Sequence, residues 1–307
     1  MEDRAKYYQD KIQSLVGLPT LPTIALEIQS IMREDKLSVI QTVPIIEQDP
    51  SLALKILKVA NSAYYGMSRK VNSLRQAVVI IGMRELAGIV LGFSVLKSMT
   101  QPGAETSINW KKFWEHSVAV GHIAELLDEE LGIHFSESPY SLGLLHDVGQ
   151  LVLFRLDQSK FEEAYHLSLS ERISMIQAEA RVFGITHQQA GQWIAKRWGL
   201  SEYIQSVNGH HHDLAAIEDV ELRIAGSLVQ LANYIANNIR LNFGHRQLRT
   251  EDDTPEAWEM IQIRSTRARD SDFNTFLLDL EEHWSAVRDM VKLLNMGDVN
   301  EPKKQTK

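Results

Sequence analysis

A histidine and an aspartate stand side by side at His146–Asp147, where the apolar run Tyr140-Ser-Leu-Gly-Leu-Leu145 ends. A carboxylate buried beside an imidazole is costly unless a metal, a cation or hydrogen-bond donors compensate it. The pair therefore asks for partners, and His116, His187, His210 and His211 are placed to supply them. The chain has eleven histidines and no cysteine. Disulfides, thiolate zinc sites and cysteine nucleophiles are excluded. A metal would rest on imidazole and carboxylate, a donor set that suits zinc, iron, nickel or manganese.

Helical periodicity decides which of these side chains can meet. In a helix expected over 108–131, His116 shares an i, i+4, i+7 stripe with Val120, Ile123, Leu127 and Leu131 and so faces inward. His122, six residues on, points away from that stripe and is set aside as a ligand. A following helix carries His146 and Asp147 beside the apolar stripe of Leu142, Leu145 and Val148. Thr186 and Gln189 form a capping box that puts His187 in the first turn of its helix. His187 then shares a stripe with Ala190, Gly191, Ile194 and Trp198, where the two small residues admit a close neighbour. A helix from Ser201 ends near Gly209, just before the histidine run. Asn233 lies with Val229 and Ala236 on the inner side of a later helix. Any one of these histidines alone reads as a core residue bonded to backbone. His116, His146, Asp147, His187, His210, His211 and Asn233 together imply one shared site for one or two divalent transition ions. His212 is left open between that site and solvent, and His134, His166, His245 and His283 read as surface residues.

The elements that position this set are helical almost throughout, so the fold class is all-α. Ser38 opens a helix through Ile46, Asp49-Pro50 launches the next, and Ser73 with Gln76 reads as a capping box for a helix ending near Gly82. The uncharged run 86–96 is too short to span a bilayer and reads as a buried core helix. Three regions result. Residues 1–105 form an N-terminal helical lobe that ends in the linker 101–105. Residues 106–245 form a helical bundle carrying the His/Asp site. Residues 246–307 follow a polar loop at 244–253 with C-terminal helices, one spanning 273–294, and a polar tail. The net charge of −8 at 307 residues argues against general binding to nucleic acid or an anionic membrane. Lys55, Lys58, Arg69, Lys70 and Arg75 read as a solvated face. A charged N-terminus without an apolar segment fits a cytoplasmic protein. No Gly-x-Ser-x-Gly elbow, Walker loop or Rossmann glycine loop is present.

His116, His146-Asp147 and a later Asp/Asn helix resemble the HD superfamily of metal-dependent phosphohydrolases, and the added His187 and His210-His211 resemble its HD-GYP branch. Further motifs are similar to the HDOD family over about residues 15–240. They are Leu18-Pro-Thr-Leu-Pro22, Asp49-Pro50, Lys55-Ile-Leu-Lys-Val-Ala-Asn-Ser-Ala-Tyr64 and Gln76-Ala-Val-Val-Ile-Ile-Gly82. The series continues with Gly143-Leu-Leu-His-Asp-Val-Gly149, Ala178-Glu179 with Phe183-Gly184, His187-Gln-Gln-Ala-Gly191 and Trp198-Gly-Leu200. The resemblance implies an N-terminal helical lobe on an HD-like bundle, and a ligand set in which Asp147 bridges two metals. HDOD proteins are generally regarded as regulatory or signalling modules; many have lost the metal ligands, and most lack demonstrated catalysis.

Three departures from the HD-GYP pattern stand out. Asn233 occupies the place of the final aspartate, Gln150 that of a lysine, and His212-Asp-Leu-Ala-Ala replaces the Gly-Tyr-Pro segment. The leading reading is a non-catalytic signalling module that binds a protein partner. The alternative is an active metal-dependent phosphohydrolase, with a nucleotide or phosphate as ligand. An iron-based redox or ligand sensor is the third.

Overall fold

The computed structural model describes residues 2–14, 17–33, 38–99, 106–243 and 253–294. The expected linker 101–105, nearly all of the polar loop 244–253 with its His245, and the tail after 295 lie outside these residues. The described chain is helical and carries no strand.

The first helices are α1 (Glu2–Gln13), α2 (Thr23–Arg33), α3 (Val39–Glu47), α4 (Pro50–Ala60), a 3-10 turn at Ala63–Tyr65, α5 (Leu74–Ile81) and α6 (Met83–Met99). The expected starts hold. Ser38 caps α3, Asp49 accepts from the Ser51 and Leu52 amides with Pro50 in the first turn of α4, and Ser73 caps α5. Each such cap is worth about 1 kcal/mol. The Ser73–Gln76 box is only half made, because the Gln76 side chain accepts from the Asn72 amide instead of the Ser73 amide. Residues 2–13 lie outside every helix expected from the sequence. That segment is helical, buries Tyr8 and Ile12, and lies against the helix that carries His187.

The middle of the chain forms α7 (Trp110–Leu131), α8 (Pro139–Leu145), α9 (Val148–Leu156), α10 (Gln158–Glu171), α11 (Met175–Val182), α12 (His187–Arg197), α13 (Glu202–His210), a 3-10 turn at Leu214–Ala216 and α14 (Val220–Asn238). Helix α7 is the spine, packed against α8 and α14, while α12 packs on both α9 and α13. Two glycines allow the closest approaches to neighbouring backbone. A Cβ on Gly143 would lie 2.6 Å from the Val120 carbonyl oxygen, and one on Gly149 would lie 1.8 Å from the His187 carbonyl oxygen. Helix α6 is buried on nearly every side, between α2 and α8. Among the described residues no single helix is long and apolar enough to cross a membrane. Helices α5 and α6 reach that length only as a pair bent by 110°.

The last helices are α15 (Asp253–Arg264), α16 (Thr266–Arg269), α17 (Phe273–Asp279) and α18 (His283–Leu293). The single helix expected over 273–294 is therefore two. Phe276 of α17 packs on Trp258 of α15 with ring centroids 5.1 Å apart, whereas α18 packs on α7 and the 63–65 turn. Two separate supports require the bend.

Candidate metal centre

His146 and Asp147 do not sit in one continuous helix as expected. They form the junction between α8 and α9, with Asp147 at φ −103° and ψ 13°. Leaving the helical path lets both side chains turn into the same space. His187 opens α12, held by a capping box in which Thr186 and Gln189 exchange backbone contacts. His211 caps the end of α13, and His212 follows it in the turn. His116 projects from α7 and Asn233 from α14.

These elements converge on Asp147. Its Oδ2 lies 3.3 Å from His146 Nε2, and its Oδ1 lies 3.3 Å from His187 Nε2 and 3.4 Å from His211 Nε2. His116 packs on His146 with ring centroids 5.4 Å apart, and His212 packs on His211 at 4.1 Å. Two ligand-like groups result. Asp147, His187, His211 and His212 form one, and His116, His146 and Asp147 the other, with the donor atoms of each within 4.8 Å of one another.

Hydrogen bonds on the far side of each ring set the tautomer. Nδ1 of His116 reaches the Leu241 carbonyl at 2.7 Å, that of His146 the Gly143 carbonyl at 2.7 Å, and that of His211 the Val207 carbonyl at 2.9 Å. A carbonyl only accepts, so each Nδ1 must carry a proton, and in its neutral form each ring turns an Nε2 lone pair inward. His187 Nδ1 lies 2.7 Å from Glu179 Oε2, which also accepts from the His187 amide at 2.7 Å. The Nε2 atoms of His146, His187 and His211 and the Oδ1 of Asp147 are all buried with no hydrogen-bond partner. Lone pairs converging on a carboxylate at 3.3–3.4 Å repel unless a cation or a proton stands among them. The donor set thus fits a metal ion, with Glu179 and the backbone carbonyls orienting the rings from behind as such sites require.

The electrostatics agree. Burial alone would raise Asp147, yet His146 and His187 hold its carboxyl well below the usual range. Burial pushes His116 and His211 down to about 4, and His212 well below its ordinary value. Burial also opposes charge on His187, but Glu179 and Asp147 outweigh it and lift the ring to about 9. Without an ion, a proton on His187 is the available counter-charge for Asp147.

The structure brings together His116, His146, Asp147, His187 and His211, with Asn233 within hydrogen-bonding reach of His116. It does not bring His210 there. That ring faces a neighbouring groove, with its Nε2 3.3 Å from Gln192 Nε2, and His212 stands in the cluster instead. Helix α13 runs on through His210, one residue past its expected end, and the turn after it rotates His212 inward. His122 stays out of the site, as expected, yet it is fully buried between Tyr64 and Tyr140. His134 and His166 are exposed and His283 is half-buried. Glu179, behind His187, belongs to one of the HDOD-like motifs but has no expected role at the site. Its signal was an acidic residue on the apolar Met175–Ala178 face of α11.

The chain matches the family model for the HDOD domain over residues 18–214. An HDOD domain protein of unknown function from Geobacter sulfurreducens superposes with a TM-score of 0.79 at 28% identity, covering 96% of this chain and 99% of that one. A candidate phosphohydrolase from Shewanella amazonensis shares the fold with a TM-score of 0.68 at 19% identity, covering 94% and 97%. An uncharacterised protein from Treponema pallidum is 27% identical over 207 residues, or 64% of this chain and 38% of that one. The chain therefore spans under two fifths of the length of that curated relative. With most of its length matched and the ordered motifs in place, the chain belongs to the HDOD domain family.

Proposed function

We propose that this chain is a regulatory HDOD module that binds a protein partner and turns over no substrate, with a single divalent transition ion fixing its histidine helices. The observation that carries the reading is the Gln150 amide, which donates to Asp147 Oδ2 at 2.9 Å. That oxygen faces His146, so a neutral donor takes one of the lone pairs that a second ion beside His146 would use, and brings no charge of its own. Asn233 supports the same view, since its Oδ1 accepts from Asn237 at 2.9 Å and it brings no negative charge to a second ion. Asp147, His187, His211 and His212 would hold the ion. Nitrogen-rich ligation suits zinc, iron, nickel or manganese. When bound, such an ion acts as a Lewis acid and lowers the pKa of any water it holds. The chain's own contribution is to fix the tautomer of each ring and to keep the donors buried.

The test is elemental analysis of untagged protein by plasma mass spectrometry, beside Asp147→Ala. A single ion per chain, lost in the variant, is the expected result. No metal after reconstitution would remove the ion from the proposal. Affinity capture from the native cell addresses the partner, and recovery of none would remove that half.

A second reading, an active phosphohydrolase, is favoured by one feature: His116 and His146 form a group that shares Asp147 with the first. It is tested on nucleotides, cyclic dinucleotides and a generic phosphodiester with Mn²⁺, Fe²⁺ and Ni²⁺. Turnover that vanishes in Asp147→Ala would displace the regulatory reading.

A further inference from the structure

A second buried polar cluster lies on the same helix α7, on a different face from His116. Glu85 of α6 and Glu125 of α7 are 4% and 8% exposed, and their carboxyl groups lie within hydrogen-bonding reach of each other. Glu85 Oε2 accepts from Ser138 Oγ at 2.9 Å, while Glu85 Oε1 and Glu125 Oε2 have no donor. Ser138 is also the cap of α8, accepting from the Ser141 amide. Two carboxylates cannot hydrogen-bond to one another, because neither has a hydrogen to give. A contact of this kind, out of water, requires a proton between the two groups.

We propose that Glu85 and Glu125 share a proton across the seam of α6, α7 and α8, and that this pair is a pH-responsive latch between the N-terminal helices and the histidine-bearing helices. The latch is closed while the proton is held. Its loss leaves two buried negative charges in contact and loosens the seam at the cap of α8, whose far end carries His146. This inference is independent of the metal reading.

The surroundings offer the pair little compensation. From α6, Arg84 faces it, with the guanidinium engaged by the Phe135 carbonyl. From α7, Asp128 and Glu129 add negative charge. The 63–65 turn brings Tyr64 and Tyr65, and α8 brings Tyr140. All three hydroxyls are buried without a partner, and burial and then the two glutamates raise each phenol. His122 is close by on α7, and burial pushes it down to about 3. Elsewhere, Arg155 of α9 reaches the Ser98 carbonyl, Arg223 of α14 the Ile217 carbonyl, and Arg267 of α16 Glu130. Lys292 and Asp289 of α18 pair with each other, and Lys55 of α4 lies over the Phe93 and Trp114 rings. Burial lifts Glu85 to about 7 and Glu125 well above its ordinary value, the latter reinforced by Glu85.

Both folded values lie above the unfolded one near 4.5. The stabilisation is therefore full below about pH 4.5 and is lost as pH rises through the folded values. The experiment is denaturant unfolding of the full chain at intervals from acid to mildly alkaline pH, for the wild type and for Glu85→Gln/Glu125→Gln. The wild-type midpoint should fall relative to the variant's by the linkage of two extra protons bound in the folded state up to about pH 7 and of one above it. The histidine cluster is common to both proteins and cancels in the difference. Parallel curves would overturn the latch. Carbon NMR of glutamate-labelled wild type needs no variant and remains decisive if the variant does not fold. Side-chain carboxyl resonances titrating near and above 7 are expected, and a spectrum in which every glutamate titrates in the ordinary range would equally overturn it.

Discussion

Helix α7 carries two buried polar clusters, and they are built from opposite materials. At His116 the neighbours are imidazoles whose protons are tied to backbone carbonyls on the outside, so that lone pairs point in. At Glu125 the neighbours are a second carboxyl, a serine and three phenols, a set that can supply or share protons. Burial works on both, in opposite directions. It lowers His116 and His211 to about 4, which keeps them neutral and able to ligate, and raises Glu85 to about 7, which keeps a proton in place. The first cluster offers converging donors to a metal cation, whereas the second needs only hydrogen. One helix thus serves a centre that should respond to metal supply and a seam that should respond to pH.

The variant that breaks the contrast most completely is His146→Ala/Asp147→Ala. It removes the only carboxylate in both ligand-like groups, so bound metal should be abolished in elemental analysis. The pH dependence of unfolding attributed to the seam should persist, and a loss of both together would mean the clusters are not separable. Glu179→Gln comes next. It keeps the shape behind His187 but removes the charge that orients and polarises the ring, and should weaken metal affinity by roughly 10–100-fold in a competition titration with a chelator. An unchanged affinity would reduce Glu179 to a helix-packing residue.

Gly149→Ala attacks the scaffold of the histidine cluster and leaves the seam alone. Its Cβ would fall 1.8 Å from the His187 carbonyl oxygen and 2.7 Å from the Gly191 nitrogen. Helices α9 and α12 would have to separate, at a cost of about 1–3 kcal/mol in denaturant unfolding. Metal content should fall with stability, because His187 and Asp147 move apart. The contact had a sequence signal on one side, in the small Ala190–Gly191 pair, and the structure supplies its partner.

Much of the histidine cluster was legible because helical spacing and capping act locally. His116 follows from its stripe with Val120 and Ile123, and His187 from the Thr186–Gln189 box. The junction at His146–Asp147 was not legible, since the apolar stripe through Leu142, Leu145 and Val148 runs on unbroken. Only the tertiary demand that both side chains face the same space breaks the helix there. The glutamate seam was hidden for a different reason. Glu125 stands among Ile123, Ala124, Leu126 and Leu127, and Glu85 opens the apolar run of α6, so each reads alone as a stray charge. Their meaning appears only when α6 and α7 are brought together.

The histidine run 210–212 shows the limit of local spacing most sharply and yields the smallest expected effect. Three consecutive imidazoles give no hydrophobic contrast from which to read a phase, so the helix end decides which two turn inward. The chain stays helical through His210 and leaves the helix at His211, whose Nδ1 is held by Val207 one turn back. His212 is then carried into contact with the His187 ring, at 5.5 Å between centroids. His210 is left beside Gln192 at the rim of a groove with Glu202 and Asp219. His210→Ala should therefore leave both metal content and the pH dependence of unfolding as they are in the wild type. His212→Ala should lower metal affinity while sparing the seam. If His210→Ala lost metal and His212→Ala kept it, the inward pair would be 210–211, and α13 would have to end a residue earlier than it does here.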